Sequence, residues 1–124
     1  KRIEHTLANL QMLAFYTQKG LSLRLHGNQT VITAYFNDPA VTGKACVQID
    51  FDASHHGYLS LFASCGQVSD VTLTGLKYPL SSAVLTPDFP LGVSNEFIGE
   101  AAHIEFSKGT LIVVYPEKQL HEKQ

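Results

Sequence analysis

The run Leu21–Phe36, LSLRLHGNQTVITAYF, decides the fold class. Leu21, Leu23 and Leu25 alternate with polar residues at a period of two, which suits a strand with one face buried. Gly27-Asn28-Gln29 supplies a turn, and the β-branched and aromatic run Val31–Phe36 follows as the returning strand of a hairpin. Working downstream, the same texture repeats at Ala45–Phe51, Tyr58–Ala63, Val71–Leu76, Ala83–Leu85, His103–Phe106 and Thr110–Tyr115. Turn formers such as Asn37-Asp38-Pro39, His56-Gly57 and Ser107-Lys108-Gly109 separate them, with no helical pattern between. Many short strands in this arrangement predict a mainly β chain: an antiparallel β-sandwich, jelly-roll-like, or a partly closed barrel, over residues 21–124. Pro116–Gln124 is polar and is expected to fray.

Working upstream, the period changes. In KRIEHTLANLQMLAFYTQKG, Ile3, Leu7, Leu10 and Ala14, joined by Leu13, form one stripe at helical spacing, and Gly20 stands where a C-cap belongs. The pattern predicts an α-helix over Ile3–Lys19 that precedes the β domain. Because this helix starts almost at the first residue, the chain is expected to be cut from a longer one.

Composition narrows the function. A chain of 124 residues, 44% hydrophobic and 16% charged, fits one globular domain with a core of modest size. A formal net charge of −2 gives no electrostatic footprint for nucleic acid or anionic lipid. No apolar run approaches the length of a membrane span. Two cysteines, Cys46 and Cys65, make no disulfide scaffold and no C-x-x-C motif, so buried free thiols are expected.

Asp50 and Asp52 lie two apart, on one face of a strand, where a hard cation could share them; a strand end running into the polar turn Ala53–Gly57 explains them equally, and is preferred. His55 and His56 are adjacent, point apart on a strand and chelate poorly. Neither G-x-S-x-G nor a glycine-rich phosphate loop is present. Two stretches remain: TGLKYPL (Thr74–Leu80) and PLGVSNEFIGE (Pro90–Glu100). Gly75 lets backbone approach closely, Tyr78 offers a ring face, and Ser94 and Asn95 carry groups that both donate and accept hydrogen bonds. Together they suit a planar heterocycle bearing an amino group; the alternative is a strand end and a solvated turn.

The blocks TGLKYPL and LGVSNEFIGEAAHIEFSKGTLIVV resemble the C-terminal part of thiamine pyrophosphokinases (thiamine diphosphokinases). KRIEHTLANLQML is similar to that family's glycine-arginine-x-aspartate-histidine helix. The resemblance covers nearly the whole chain and is diffuse over Phe36–Ser54. It implies a two-domain, cytoplasmic, homodimeric enzyme: an α/β half holds ATP and magnesium, a β-sandwich half holds thiamine, and the active site lies between subunits. Diphosphate would pass from ATP to the hydroxyethyl group of thiamine, leaving AMP. On this resemblance residues 1–20 are the last helix of the nucleotide half and residues 21–124 the thiamine-binding half. The fragment alone would be inactive.

Position by position, the resemblance places thiamine contacts at Ser94 and Asn95, with Gly92 shaping the loop and Leu91 and Tyr78 beside it. Glu96 would either draw thiamine's cationic thiazolium or stand as a plain surface charge. Glu4 falls where the family has an aspartate near metal and phosphates, flanked by Arg2 and His5. Two departures stand out: Lys1 replaces a glycine, and Glu4 is one methylene longer, which tests magnesium's strict octahedral geometry. The family's acidic Gly-Asp-x-Asp-Ser segment is echoed by Asp50–Ser54, but downstream of the helix rather than upstream. Two rival readings remain: a non-enzymatic β-sandwich binding another planar ligand, and a dimerisation module whose Ser-Asn loop is only a turn.

Overall fold

The computed structural model describes Met12, Phe15, Thr17 and residues 24–27, 29–89 and 91–118. The helix expected over Ile3–Lys19 falls outside these except for Met12, Phe15 and Thr17, whose backbone is helical.

Eight antiparallel strands form one continuous sheet: β1 (Arg24–Gly27), β2 (Thr30–Asn37), β3 (Val47–Phe51), β4 (Tyr58–Thr74), β5 (Leu80–Leu85), β6 (Asn95–Glu96), β7 (Ala102–Phe106) and β8 (Lys108–Pro116). The order is β1-β2-β8-β4-β7-β3, with β5 and β6 also on β4. The expected hairpin is β1–β2, with Arg24 opposite Thr33 and Gly27 opposite Thr30. Strand-dominated antiparallel architecture therefore holds. The division into halves arises differently from two separate sheets, because one strand runs through both.

That strand is β4. Its sequence reads as two strands, Tyr58–Ala63 and Val71–Leu76, yet it is a single 17-residue strand. Ser60–Ser64 pair with β8, and Thr72–Thr74 pair with β7. Between them the register slips, and Cys65 (φ 60°), Gly66 (φ 114°) and Asp70 (φ 56°) take left-handed backbone. Such a bulge bends a strand without ending it, so one strand serves two directions of sheet.

A second difference is a short helix, α1 (Pro39–Thr42), where the sequence reads only as a turn. Asp38 caps it by accepting from Ala40 N at 3.0 Å, Pro39 stands at the first turn, and Gly43 closes it at φ 76°. The expected fraying is also absent at the start of the tail: Glu117 N donates to Gln29 O at 2.8 Å, and Lys118 pairs with Asp52.

Alternation along the strands sends Val31, Phe51, Leu61, Leu73, Ile104, Phe106, Leu111 and Val113 into one apolar core shared by both halves. A smaller cluster around Ala34 and Ile112 lies apart from it. Asn37 is completely buried within this frame. Its Nδ2 donates to Lys44 O (3.0 Å) and Ser107 O (2.7 Å), and its Oδ1 accepts from the Thr42 hydroxyl (2.6 Å). The amide thereby ties the α1 loop to the β7–β8 corner, as a buried polar group must find partners.

Candidate functional site

The site is assembled where the segment after β4 meets β6. Gly75 takes φ 76°, and a Cβ there would run into the Ala101 carbonyl, so only glycine lets these backbones close. From that contact a short ladder grows: Leu76 bridges Phe97, and Lys77 N donates to Glu96 O at 2.9 Å. The next rung uses a side chain. Asn95 Oδ1 accepts from Tyr78 N at 2.9 Å, and Asn95 Nδ2 donates to Tyr78 O at 2.8 Å. A carboxamide presents the same donor and acceptor as a peptide group, so Asn95 extends the ladder by one residue. Its Oδ1 also accepts from Glu96 N at 2.9 Å.

On its other side β6 lies against the start of β4, with Asn95 opposite Leu59 and Glu96 opposite Tyr58. Gly92 is buried against Leu61: Leu61 N donates to Gly92 O at 2.9 Å, and a Cβ at Gly92 would stand 2.9 Å from Leu61 Cβ and O. Ser94 N donates to the Ser60 hydroxyl at 2.9 Å while Ser94 itself takes φ 62°. With left-handed backbone at Ser94, that residue is exposed while its neighbour Asn95 is buried.

The residues singled out in the sequence therefore converge but differ in exposure. Ser94 is exposed, and Tyr78 and Leu91 are 56% and 43% exposed. Asn95 is 4% exposed and its amide faces the Tyr78 main chain, leaving one Nδ2 proton beyond the three bonds described. Glu96 is half-buried, its carboxylate 3.7 Å from Lys77 Nζ, and that ammonium lies 5.6 Å from the Tyr78 ring centre. Beside the loop is a concavity of about 160 Å³, lined by Leu61, Phe62, Leu85, Phe89, Gly92 and Val93 among others. Glu4, Arg2 and His5 lie outside the described residues.

The rejected motifs have structural explanations. Asp52 caps Ser54 N and pairs with Lys118 Nζ at 3.1 Å; the Ser54 hydroxyl first, then Lys118, hold its pKa far below the ordinary carboxylate range. His55 stacks on Phe97 with ring centres 5.3 Å apart and meets Phe51 edge-on at 5.0 Å. Among the described residues no group of three or more His, Cys, Asp or Glu could hold a metal ion. Cys46 and Cys65 are free as expected, but not buried: Cys46 is half-buried, and Cys65 is exposed where the β4 bend turns it outward.

One polar cluster escaped the sequence reading. His103 Nδ1 lies 2.7 Å from Asp50 Oδ1, and its Nε2 lies 2.9 Å from Glu105 Oε1. Hydrogen bonding to Asp50, then to Glu105, raises the imidazole pKa. The period-two spacing of His103 and Glu105 was legible, but the third member, Asp50, arrives only through β3–β7 pairing.

Compared with known proteins, residues 46–111 match the family profile described as thiamin pyrophosphokinase, vitamin B1 binding domain. The chain belongs to that family. A curated thiamine pyrophosphokinase from Bacillus subtilis is 29% identical over 113 residues, which is 91% of this chain and 49% of that protein. The crystal structure of thiamine pyrophosphokinase from B. subtilis superposes with a TM-score of 0.76 at 28% identity, covering 96% of this chain and 52% of that one. One from Geobacillus thermodenitrificans gives 0.72 at 26%, covering 94% and 50%. The chain thus spans about half the length of these relatives. Among the described residues no helix is long and apolar enough to cross a membrane.

Proposed function

We propose that this chain is the thiamine-binding half of a thiamine diphosphokinase. The reaction would move a diphosphoryl group from ATP to the hydroxyethyl oxygen of thiamine. A bond forms from that oxygen to the β-phosphorus, the bond between the β-phosphorus and the α,β-bridging oxygen breaks, and AMP leaves. On this reading residues 1–20 close the nucleotide half and residues 21–124 hold the vitamin. Glu4, Arg2 and His5 would lie toward the phosphates, and magnesium, held largely by the nucleotide half, would supply charge neutralisation there.

Family membership supports the ligand, and the junction at Asn95 supports the place. One buried amide brings Tyr78, with its exposed ring, against the loop carrying Ser94. Ser94 would hydrogen-bond the aminopyrimidine edge, with Tyr78 and Leu91 against its faces. Asn95 keeps both loops in register and has one proton left for the ligand. Positioning of this kind accounts for much of the rate in transfers between two bound substrates.

The concavity at Gly92 is only about 160 Å³, below the ~300 Å³ at which pockets enclose drug-sized ligands. A second wall is needed. We assign it to the nucleotide half of a partner subunit in a cytoplasmic homodimer, so the 124-residue chain alone would bind thiamine weakly and transfer nothing.

The test is calorimetry with thiamine on the full-length protein and its Asn95→Ala and Ser94→Ala variants, together with AMP release from ATP. Weakened binding in both variants and thiamine-dependent AMP supports the reading. Equal tight binding by all three proteins removes the site. Thiamine binding without AMP would favour a non-enzymatic module.

A further inference from the structure

The sheet formed by β1, β2, β8 and the first part of β4 is apolar on both faces. One face turns Val31, Leu61, Leu111 and Val113 into the core. On the other, strand pairing lines up Leu25, Ile32 and Val114 in one row and Ala34, Ile112 and Phe62 in the next. Ala34 and Ile112 are each 6% exposed, yet the partners described for them, Leu25, Ile32 and Val114, rise from the same face of the same sheet. Neighbours on one face leave the outer ends of side chains open, so burial this deep calls for a second layer across the face.

The chain itself holds a segment of the right pattern, length and attachment. The stripe Ile3, Leu7, Leu10 and Ala14 continues at the same spacing to Thr17. Thr17 is 6% exposed, whereas Met12 and Phe15, which lie off the stripe, are each 53% exposed. Burial thus follows the phase of the stripe. The Thr17 hydroxyl has no hydrogen-bond partner, which suits an apolar surface opposite it. A helix over Ile3–Lys19 is about 25 Å long, enough for a face about 15 Å across from β1 to β4. Residues 18–23 join Thr17 to β1, a link that spans roughly 20 Å at most, and Leu25 of β1 opens the apolar face.

We infer that the outer face of β1, β2, β8 and β4 is a docking surface for the segment Ile3–Lys19 of the same chain, laid down as a helix with Ile3, Leu7, Leu10, Ala14 and Thr17 inward. Resting on the thiamine diphosphokinase reading, this contact fixes how the end carrying Arg2, Glu4 and His5 is held relative to the vitamin-binding sheet. The stripe residues are positioning residues: they touch neither substrate, and they act by holding the two halves in one orientation.

The experiment is disulfide trapping under mild oxidation in the full-length protein, with Cys46→Ser and Cys65→Ser to remove the free thiols. Val114→Cys, on the half-buried part of the face, is combined in turn with Leu7→Cys, Leu10→Cys or Ala14→Cys on the stripe, and with Met12→Cys or Phe15→Cys off it. A cross-link within one chain is expected from a stripe position and not from Met12 or Phe15. No cross-link from any position, or equal yield from off-stripe positions, overturns the docking; a cross-link between two chains overturns it in favour of a second copy on the face. Activity separates the positioning role: Leu10→Asp should slow AMP release about tenfold or more with thiamine affinity within about twofold, and Met12→Asp should change neither. Equal loss in both variants overturns that role. Stripe cross-links in a protein that neither binds thiamine nor releases AMP support the docking and overturn the diphosphokinase reading.

Discussion

Asn37 and Asn95 do the same work at opposite corners of the molecule. Each is buried, at 0% and 4% exposure, and each spends its carboxamide on three hydrogen bonds, most of them to main chain. Their surroundings differ. Asn37 closes the α1 loop over the β7–β8 corner. Asn95 presents Ser94, Tyr78, Tyr58 and Glu96 at its margin. A buried amide therefore marks a place where irregular backbone is held firmly, and the exposed groups around it decide whether that place binds anything.

The largest expected effect breaks the Asn95 corner from outside. Gly75→Ala forces an alanine into left-handed backbone and drives its Cβ into the Ala101 carbonyl. A loss of about 4 kcal/mol in denaturant unfolding should follow, with thiamine binding abolished. Next come the two amides themselves. Asn95→Ala and Asn37→Ala should each cost about 3 kcal/mol, since each strands buried partners. Only Asn95→Ala should also weaken thiamine, by about tenfold or more in calorimetry under folding conditions. If Asn37→Ala weakens it equally, the contrast between the corners fails.

Smaller effects come from exposed charges. The raised pKa of His103 means that its contribution is full below the ordinary histidine range and is lost as pH climbs through the folded value. Unfolding from pH 5 to pH 8 should show a decline of about 0.5 kcal/mol that His103→Gln removes and salt reduces. Asp52 has the opposite sign. Its depressed pKa gives stability above the ordinary carboxylate range that disappears in acid, so Asp52→Asn should change only the acid limb of the curve.

These corners show what is readable from residues alone. Period-two alternation matches burial most clearly in β3 and β7, which bury every second residue, and strand texture also identified β1, β2 and β8. Glycine at positions 75 and 92 and the Ser94-Asn95 pair drew attention to loops that the structure brings together. The merger of Tyr58–Ala63 with Val71–Leu76 was not readable, because Cys65 and Asp70 in left-handed backbone look like turn residues and nothing local says that the strand resumes. Nor was the direction of the Asn95 amide: a Ser-Asn pair in a loop carries no mark of which side chain faces inward until the partner backbone at Tyr78 is in place. Asp38-Pro39 with Gly43 was a complete set of helix signals, passed over because the helix is only four residues long.

The course of β4 also governs how the molecule acquires its shape. β2 and the first part of β4 both pair with β8, so Thr30 waits for Pro116 and Ser60 waits for Val114. Pairings so distant in sequence are slow to nucleate, on the order of milliseconds to seconds. During synthesis the bed beneath Gly92 and Ser94 cannot set until the ribosome has released residues beyond 116. The pairing of β8 is therefore the step on which the rest of the sheet waits.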